Sequence, residues 1–293
     1  MEQMHYECHG HLMMEGTDYA LSRAKHETAP NEAVVRCALS SLRDAGVGYF
    51  RDGGDPLFVS VLGRELSGEY GVEVVTPVYA IHKKGRYGSI VGRAWRDMAE
   101  YRALVEGVRA HGGDFIKIMA SGIITFRTYG ELSCPGLTLD ELTEMVRIAH
   151  GEGFRVMTHV NGAETVRAAA LAGVDSVEHG YFVDAAAMDA MVEHGVIWVP
   201  TLAAVEAFVG RDGFDNAVTE STLRRQQEAL AAFVSMGGIV AAGSDSGAVG
   251  VPHGQGARRE EALLGEAGIT SEQFRAGSER VRRLFRYGEE GRA

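Results

Sequence analysis

The segment Met4–Leu12 reads MHYECHGHL and carries two histidines, His9 and His11, at alternate positions of a predicted strand. Successive side chains of a strand point to opposite faces, so these two imidazoles share one face. Two neutral imidazoles spaced in this way suit a single metal ion. The spacing alone is equally compatible with two polar residues at a strand end. Whether this pair is part of a metal site therefore depends on which other residues the chain places near it.

Composition sets the broad class of the protein. The chain has 293 residues, of which 45% are hydrophobic, so it can bury a large core in one or two domains. Its formal net charge of −11 argues against a general affinity for nucleic-acid phosphates or anionic membranes. We therefore predict no nucleic-acid partner and no membrane partner. A small-molecule substrate is expected from the candidate site residues and not from the charge. A homo-oligomer remains open, because no stretch identifies an interface.

The cysteines and the N-terminal residues bear on the compartment. Cys8, Cys37 and Cys134 are scattered and form no CxxC pair, which fits a reducing environment rather than a disulfide framework. The first seven residues lack the basic and apolar regions of a secretory signal. No uninterrupted apolar run of ~18 residues is present. We therefore predict a cytoplasmic protein.

Short apolar runs alternate with helical patterns along the whole chain. Most of the runs lack a polar alternation, as expected for parallel strands that are buried on both faces. Eight strands separated by helices predict an α/β fold, a (β/α)8 TIM barrel forming a single domain over 1–293. An open doubly wound sheet is the alternative, but no GxGxxG follows the first strand. The predicted strands lie near 5–12, 47–50, 72–81, 114–120, 154–159, 174–178, 196–202 and 239–243.

Local patterns refine the connecting segments. Asn31 is expected to begin an amphipathic helix that stops at Gly46, and Thr138 is expected to cap the N-terminus of a helix over 137–152. Residues 51–55 read as a polar, flexible loop. Residues 81–93 read as a basic loop that contains glycines, followed by a helix over 94–111.

Polar residues recur where the predicted strands end. In a (β/α)8 barrel, the chemistry collects at the carboxyl ends of the strands. Five of the eight strands end in, or carry, a side chain suited to catalysis or to binding a metal ion. These are His9 and His11 on strand one, Lys117 on strand four, His159 on strand five, His179 on strand six and Asp245 on strand eight.

Each of these residues also has an ordinary structural explanation. Lys117, between two isoleucines, could pair with a carboxylate, since an unpaired buried ammonium costs several kcal/mol. His159 or His179 alone is commonly a hydrogen-bonded core histidine. Asp245 could cap the following helix. Because six independent explanations would have to hold together, we predict a metal site.

The set resembles the amidohydrolase superfamily, in particular the imidazolonepropionase-like and prolidase-like metal-dependent hydrolases. The similarity runs from His9 to the segment 252–254, and its most specific parts are FIKIMASG (115–122), SVEHG (176–180) and GSDSG (243–247). The resemblance implies a binuclear site, usually zinc. It assigns one ion to His9, His11 and Asp245, the other ion to His159 and His179, and a bridging role to a carboxylated Lys117.

The chemistry implied by this resemblance accounts for the residue types. A carbamate turns Lys117 from a buried cation into an anion able to neutralise two dications. Two metal ions lower the pKa of a bridging water to give hydroxide, and one of them polarises the substrate carbonyl. Asp245 would take the proton of the nucleophile and pass it to the leaving group. The expected reaction is hydrolysis of an amide-type C–N bond, in a small amide, an N-acyl amino acid, a dipeptide or a cyclic amide.

Two departures from the family pattern are visible. Relatives of this type commonly flank the barrel with a small β-sandwich built from both termini. Here eight residues precede His9 and a short tail follows the last predicted helix, so we expect a barrel without that sandwich. Gly122 is followed by Ile123 instead of the second glycine common in the family. That change affects the loop and leaves the expected ligands in place.

Substrate contacts are expected from the loops after the strands. By resemblance, His82 and Tyr181 are the leading candidates, and Arg86 and His253 are further ones. A basic third loop could bind a substrate carboxylate, or it could simply be a solvated loop. A lactonase or esterase that uses the same site is an alternative function. A barrel that binds a ligand without turning it over is another.

Overall fold

The computed structural model describes residues 4–286. Over these residues the chain folds into two parallel sheets, with strand orders β1-β2-β3 and β10-β9-β8-β7-β6-β4-β5. The α/β class and the parallel pairing predicted from the short apolar runs are confirmed. The strands are β1 (His5–Gly10), β2 (Val47–Asp52), β3 (Glu73–Val75), β4 (Ala80–Lys83), β5 (Gly92–Trp95), β6 (Ile116–Met119), β7 (Val156–Val160), β8 (Ser176–His179), β9 (Ile197–Val199) and β10 (Ile239–Val240).

Helices connect the strands and cover the sheets. The predicted caps are confirmed: the Asn31 side chain accepts from two backbone N–H groups, and Thr138 forms a capping box with Glu141. The helices are α1 (Tyr19–Ala24), α2 (Glu32–Asp44), α3 (Val59–Ser67), α4 (Met98–Ala110), α5 (Leu139–Gly151), α6 (Ala163–Ala172), α7 (Ala185–Glu193), α8 (Leu202–Glu206), α9 (Asn216–Ser235), α10 (Gln255–Glu266) and α11 (Ser271–Leu284).

The third predicted strand, over 72–81, is interrupted. Val78 lies in the left-handed region at φ 67°, next to Pro77, and this break separates β3 from β4. β3 pairs with β2, whereas β4 pairs with β6, so the two halves of one run belong to different sheets. Pro77 inside this run is the signal in the sequence, because proline is poorly tolerated in the middle of a strand.

Two local predictions are wrong. The predicted loop over 81–93 and the start of the predicted helix at 94 contain β5, which pairs with β4 in parallel, and the helix begins only at Met98. Arg51 and Asp52, predicted in a flexible loop, belong to β2 and are fully buried. Arg51 and Asp52 are charged, but partners in the interior satisfy their hydrogen bonds. Their polarity alone therefore led to the wrong prediction of a loop.

Backbone hydrogen bonds connect the two sheets at both ends. On one side, the N–H of Asp114, just before β6, donates to the carbonyl of Thr76 (2.8 Å). On the other side, the segment after β10 runs along β1. There the N–H of Cys8 donates to Ala242 O (2.9 Å), and the N–H of His11 donates to Ser246 O (2.7 Å). These contacts bring the ends of β1 and of the segment after β10 together.

The core is divided between the helix-facing sides of the strands and a smaller inner cluster. The inner cluster joins side chains of β1, β2, β3, β7 and β9 to α11, including Cys8, Tyr49, Met157 and Phe285. α11 therefore packs against the ends of the strands opposite the polar residues. None of the described helices has the length and apolar character needed to cross a bilayer.

Candidate metal centre

One cavity of about 270 Å³ gathers the side chains predicted to bind metal. All six line it, although they come from five different strands or from the segments directly after them. They are His9, His11, Lys117, His159, His179 and Asp245.

His9, His11 and Asp245 form the first group. Their potential ligand atoms lie within 4.8 Å of one another. Asp245 Oδ1 lies 3.4 Å from His11 Nε2 and 3.8 Å from His9 Nε2. The glycine between the histidines is required, because a Cβ at Gly10 would lie 2.6 Å from the Phe50 ring. The sequence His-Gly-His therefore places two imidazoles on one face, and its glycine lets the backbone pack closely against the Phe50 ring.

Lys117, His159 and His179 complete the cluster. The rings of His159 and His179 are 4.6 Å apart, and the rings of His9 and His179 are 4.9 Å apart. Lys117 Nζ lies 3.5 Å from His9 Nε2. Lys117 is 1% exposed, so its amine lies inside the cluster rather than extending to solvent.

Two members of the cluster have strained backbones. His179 has φ 66° and Asp245 has φ 63°, values that non-glycine residues rarely adopt. Such strain persists only where surrounding contacts hold it, and it is concentrated at functional sites. For His179, the backbone carbonyl accepts hydrogen bonds from the side chains of Trp198 (2.8 Å) and Gln226 (2.6 Å). The neighbouring elements thus hold this histidine in place.

Burial makes the imidazoles neutral. Desolvation, followed by the nearby Lys117 charge, lowers the pKa of His11 and of His159 to about 3. Burial also lowers the pKa of Lys117 to about 8 and raises the pKa of Asp245 to about 6. A neutral imidazole is the form of histidine that binds metal ions.

A buried ion pair supports His9 from behind. Glu178 Oε2 lies 2.9 Å from His9 Nδ1, the ring nitrogen that does not face Asp245. Arg51 binds both oxygens of Glu178 (2.8 and 3.0 Å), donates to Cys8 O (2.6 Å), and stacks on the Phe285 ring at 4.3 Å. Neither Glu178 nor Arg51 is predicted from the sequence to have a role in the site. The available signal was a charged residue inside each of two apolar strands.

His179 has a comparable partner. Its Nδ1 lies 2.8 Å from the hydroxyl of Thr201, which also lies 2.8 Å from the hydroxyl of Tyr181. Holding Nδ1 in this way leaves the other ring nitrogen of His179 free for a metal ion. Thr201 itself has φ 51° and begins α8, which was not predicted from the sequence.

The predicted substrate residues lie in different places. Tyr181 lines the cavity, whereas His82, Arg86 and His253 do not. The His82 ring is buried, with Nδ1 3.1 Å from Lys83 O. His253 lies between the hydroxyl of Ser246 and the carbonyl of Met14, and its Nε2 is 2.8 Å from that carbonyl. Contact with substrate stays a prediction for all four.

The donor set fits divalent metal ions. It combines four buried neutral imidazoles with one carboxylate; on the nitrogen facing away from the cluster, His179 has the Thr201 hydroxyl as hydrogen-bonding partner and His9 has the Glu178 carboxylate 2.9 Å away. Oriented imidazoles of this kind are typical ligands of zinc and related ions. The lysine fits less directly, because a protonated amine cannot act as a ligand.

The amidohydrolase family model matches residues 9–278, which include all six residues of the cluster. The chain therefore belongs to the amidohydrolase family. This confirms the resemblance derived from the sequence motifs.

Individual relatives are more distant. An uncharacterized protein of Mycobacterium tuberculosis is 31% identical over 183 residues, which is 60% of this chain and 48% of that protein. Ochratoxinase of Aspergillus niger is 28% identical over 179 residues, 61% of this chain and 35% of that protein. The chain thus matches about half, or less, of the length of these curated relatives.

Solved structures share the fold. A Xaa-Pro dipeptidase with methionine bound in its active site has a TM-score of 0.77 at 22% identity, covering 96% of this chain and 75% of that chain. The crystal structure of A. niger ochratoxinase gives 0.75 at 21% identity, covering 94% of this chain and 68% of that chain. At this identity the comparison establishes the fold only.

Proposed function

We propose that the protein is a metal-dependent hydrolase that cleaves an amide-type C–N bond. The observation that carries this proposal is the convergence of His9, His11, His159, His179, Lys117 and Asp245 on one cavity. Membership of the amidohydrolase family, and similarity to ochratoxinase and to a Xaa-Pro dipeptidase, support the reaction class.

His9, His11 and Asp245 would hold one ion, and His159 and His179 a second. Zinc is the ion we favour for both positions, since imidazole and carboxylate ligands suit it. Two such ions, when bound, would supply an activated water and polarise the substrate carbonyl.

Lys117 would bridge the two positions as a carbamate. Its Nζ lies 3.5 Å from an imidazole nitrogen inside a fully buried cluster, where a cation is unfavourable. Reaction of the neutral amine with carbon dioxide forms an N–C bond and releases a proton, which leaves an anionic group. That change converts a poor neighbour of metal ions into a suitable ligand.

Asp245 would transfer the proton. Its carboxylate is directed at the histidine pair and lines the cavity in which a substrate would lie. From this position it can accept the proton of the attacking water and donate a proton to the departing nitrogen. Breaking an amide C–N bond requires that second transfer, because an amide anion is a poor leaving group.

We also propose that the two sheets form one closed (β/α)8 barrel. The hydrogen bonds of Asp114 with Thr76 and of His11 with Ser246 support closure at the two junctions. Closure would place the six side chains in a ring at the carboxyl ends of the strands. One domain over 1–293 and a cytoplasmic location stay predictions.

Metal content and turnover test the proposal together. Elemental analysis of active protein should find about two divalent ions per chain, and chelation should abolish hydrolysis of amides. Asp245→Asn should lose turnover while it retains metal. Active protein free of transition metal would contradict the proposal. A matched panel of amides and lactones distinguishes amide hydrolysis from a lactonase or esterase activity.

The carbamate has its own test. Protein incubated with ¹³C-bicarbonate should give one carbamate carbon signal in its NMR spectrum, and Lys117→Met should lack it. Lys83→Met is the matched control, because Lys83 pairs with Glu141 away from the cavity. A signal that survives in Lys117→Met would assign the carbamate elsewhere.

A further inference from the structure

The cavity has a second, apolar part beyond the cluster. Three aromatic rings, Phe126, Phe208 and Phe214, contribute to its lining and pack on one another, with centroids 5.0, 6.0 and 4.7 Å apart. We call these three residues the aromatic wall. Ile123, Ile124 and Val205 extend the apolar lining.

The charge of the lining is as informative as its apolar character. Among the described residues that line the cavity, Lys117 and Asp245 are the charged ones apart from histidine, and both belong to the cluster. Arg211 stacks over Phe208, with its guanidinium carbon 5.5 Å from the ring centroid, but does not line the cavity. A substrate carboxylate in this region would therefore lose water without gaining an ion pair.

The loop after β6 positions one ring of the wall, that of Phe126. Ile123 and Ser133 lie opposite each other in a small hairpin, in which the N–H of Ser133 donates to Ile123 O (2.8 Å). Phe126, at the turn of this hairpin, has φ 56° and is 4% exposed. The structure already has this phenylalanine packed against the other two rings, and a site formed before binding lowers the entropic cost of binding.

Resting on the function proposed above, we infer that the enzyme prefers uncharged amides carrying an aromatic ring, and that the ring lies against the aromatic wall. The size of the cavity agrees, because an apolar cavity of about 150 Å³ is enough to hold benzene. A cavity of about 270 Å³ leaves room for the amide beside the ligand cluster. Aromatic pairs at these distances favour stacked or edge-on arrangements.

Three amides that differ at one position test the inference: propanamide, 3-phenylpropanamide and succinamate, which has a carboxylate in place of the ring. N-Benzylacetamide against N-methylacetamide covers a ring on the nitrogen side. Burial of a phenyl group predicts kcat/KM about tenfold to hundredfold higher for a ring-bearing amide than for its parent. Succinamate should be the poorest of the first three.

Matched variants locate the effect. Phe214→Ala should reduce the preference for 3-phenylpropanamide over propanamide to about threefold or less. Tyr129→Ala is the control, because Tyr129 is as exposed as Phe214 (39% against 38%) and lies outside the lining. Its preference should equal that of the wild type. Ile123→Arg adds a cation at an exposed lining position and should raise turnover of succinamate about tenfold relative to 3-phenylpropanamide.

Binding measurements separate this inference from the proposed function. In metal-loaded Asp245→Asn, calorimetry should find 3-phenylpropanamide bound at least about tenfold more tightly than propanamide. Tight binding of the ring without turnover in the wild type would reject amide hydrolysis and keep the wall as a binding site. Turnover without any preference for the ring, or a preference for succinamate, would overturn the wall as an aryl site while leaving amide hydrolysis in place.

Discussion

Glu178→Gln isolates the charge of the ion pair behind His9. Glu178 and Arg51 are fully buried, and both oxygens of the carboxylate contact one guanidinium nitrogen. The remaining contacts of Arg51 are with neutral groups, the Cys8 carbonyl and the Ser176 hydroxyl, and with aromatic rings. The substitution keeps the shape of the side chain and leaves the guanidinium without a buried counter-charge.

A buried charge that loses its partner costs about 3–5 kcal/mol. We therefore expect Glu178→Gln to lower the free energy of unfolding of metal-free protein by about that amount. Urea denaturation at pH 7, followed by circular dichroism, measures the loss. Glu228→Gln is the matched control, because Glu228 also pairs with an arginine, Arg224, at 2.7 Å, but both are more than 60% exposed. Exposed pairs of this kind contribute about 0.3–0.5 kcal/mol.

The same substitution tests the support of His9. Glu178 Oε2 is 2.9 Å from His9 Nδ1, so the carboxylate lies on the side of the ring opposite the nitrogen that faces Asp245. Removing a carboxylate partner of a metal-binding histidine typically costs 10–100-fold in metal affinity. Glu228→Gln should leave affinity unchanged. Equal stabilities of the two variants, together with equal zinc affinities, would refute the reasoning.

Three further predictions follow from single contacts. Gly10→Ala places a Cβ 2.6 Å from the Phe50 ring and should cost about 1–3 kcal/mol in urea unfolding. Thr201→Val removes the partner of His179 Nδ1 and should weaken zinc binding about tenfold or more in a competition titration. Burial raises the pKa of Glu260 to about 8, above its ordinary 4.5, so the carboxyl stabilises the fold when protonated. That contribution is complete below about pH 4.5 and is lost as the pH rises to about 8. The melting temperature of the wild type should therefore fall relative to that of Glu260→Gln across this window, and a constant difference would contradict the assignment.

The sequence predicts the cluster well because its residues stand out locally. A histidine or a lysine at the end of an apolar run is unusual, and parallel strands bring such ends to one edge. His159 and Asp245 lie 86 positions apart in the chain and line the same cavity. The regular alternation of strands and helices was therefore sufficient to place them near each other.

The supporting residues were harder to predict, because their roles depend on partners in distant elements. Arg51 read as part of a polar loop, yet it spans from β1 to Glu178 in β8. Thr201 carries no pattern that separates it from other threonines, although it holds His179. Pairing of this kind is set by packing across the interior, which periodicity along the chain does not encode.

The two parts of the cavity, the cluster of six side chains and the aromatic wall, are built by different kinds of structural element. The six side chains of the cluster come from strands or from the segments directly after them, whereas the aromatic wall comes from the loop after β6 and the segment after α8. Loops tolerate change at little cost to the fold. A change at Ile123 or Phe214 can therefore alter the preferred substrate while His9 and its partners stay in place. We therefore propose that reaction type and substrate choice are encoded in separate parts of this chain, so that the Phe214 and Ile123 variants and the Glu178 variant affect different measurements.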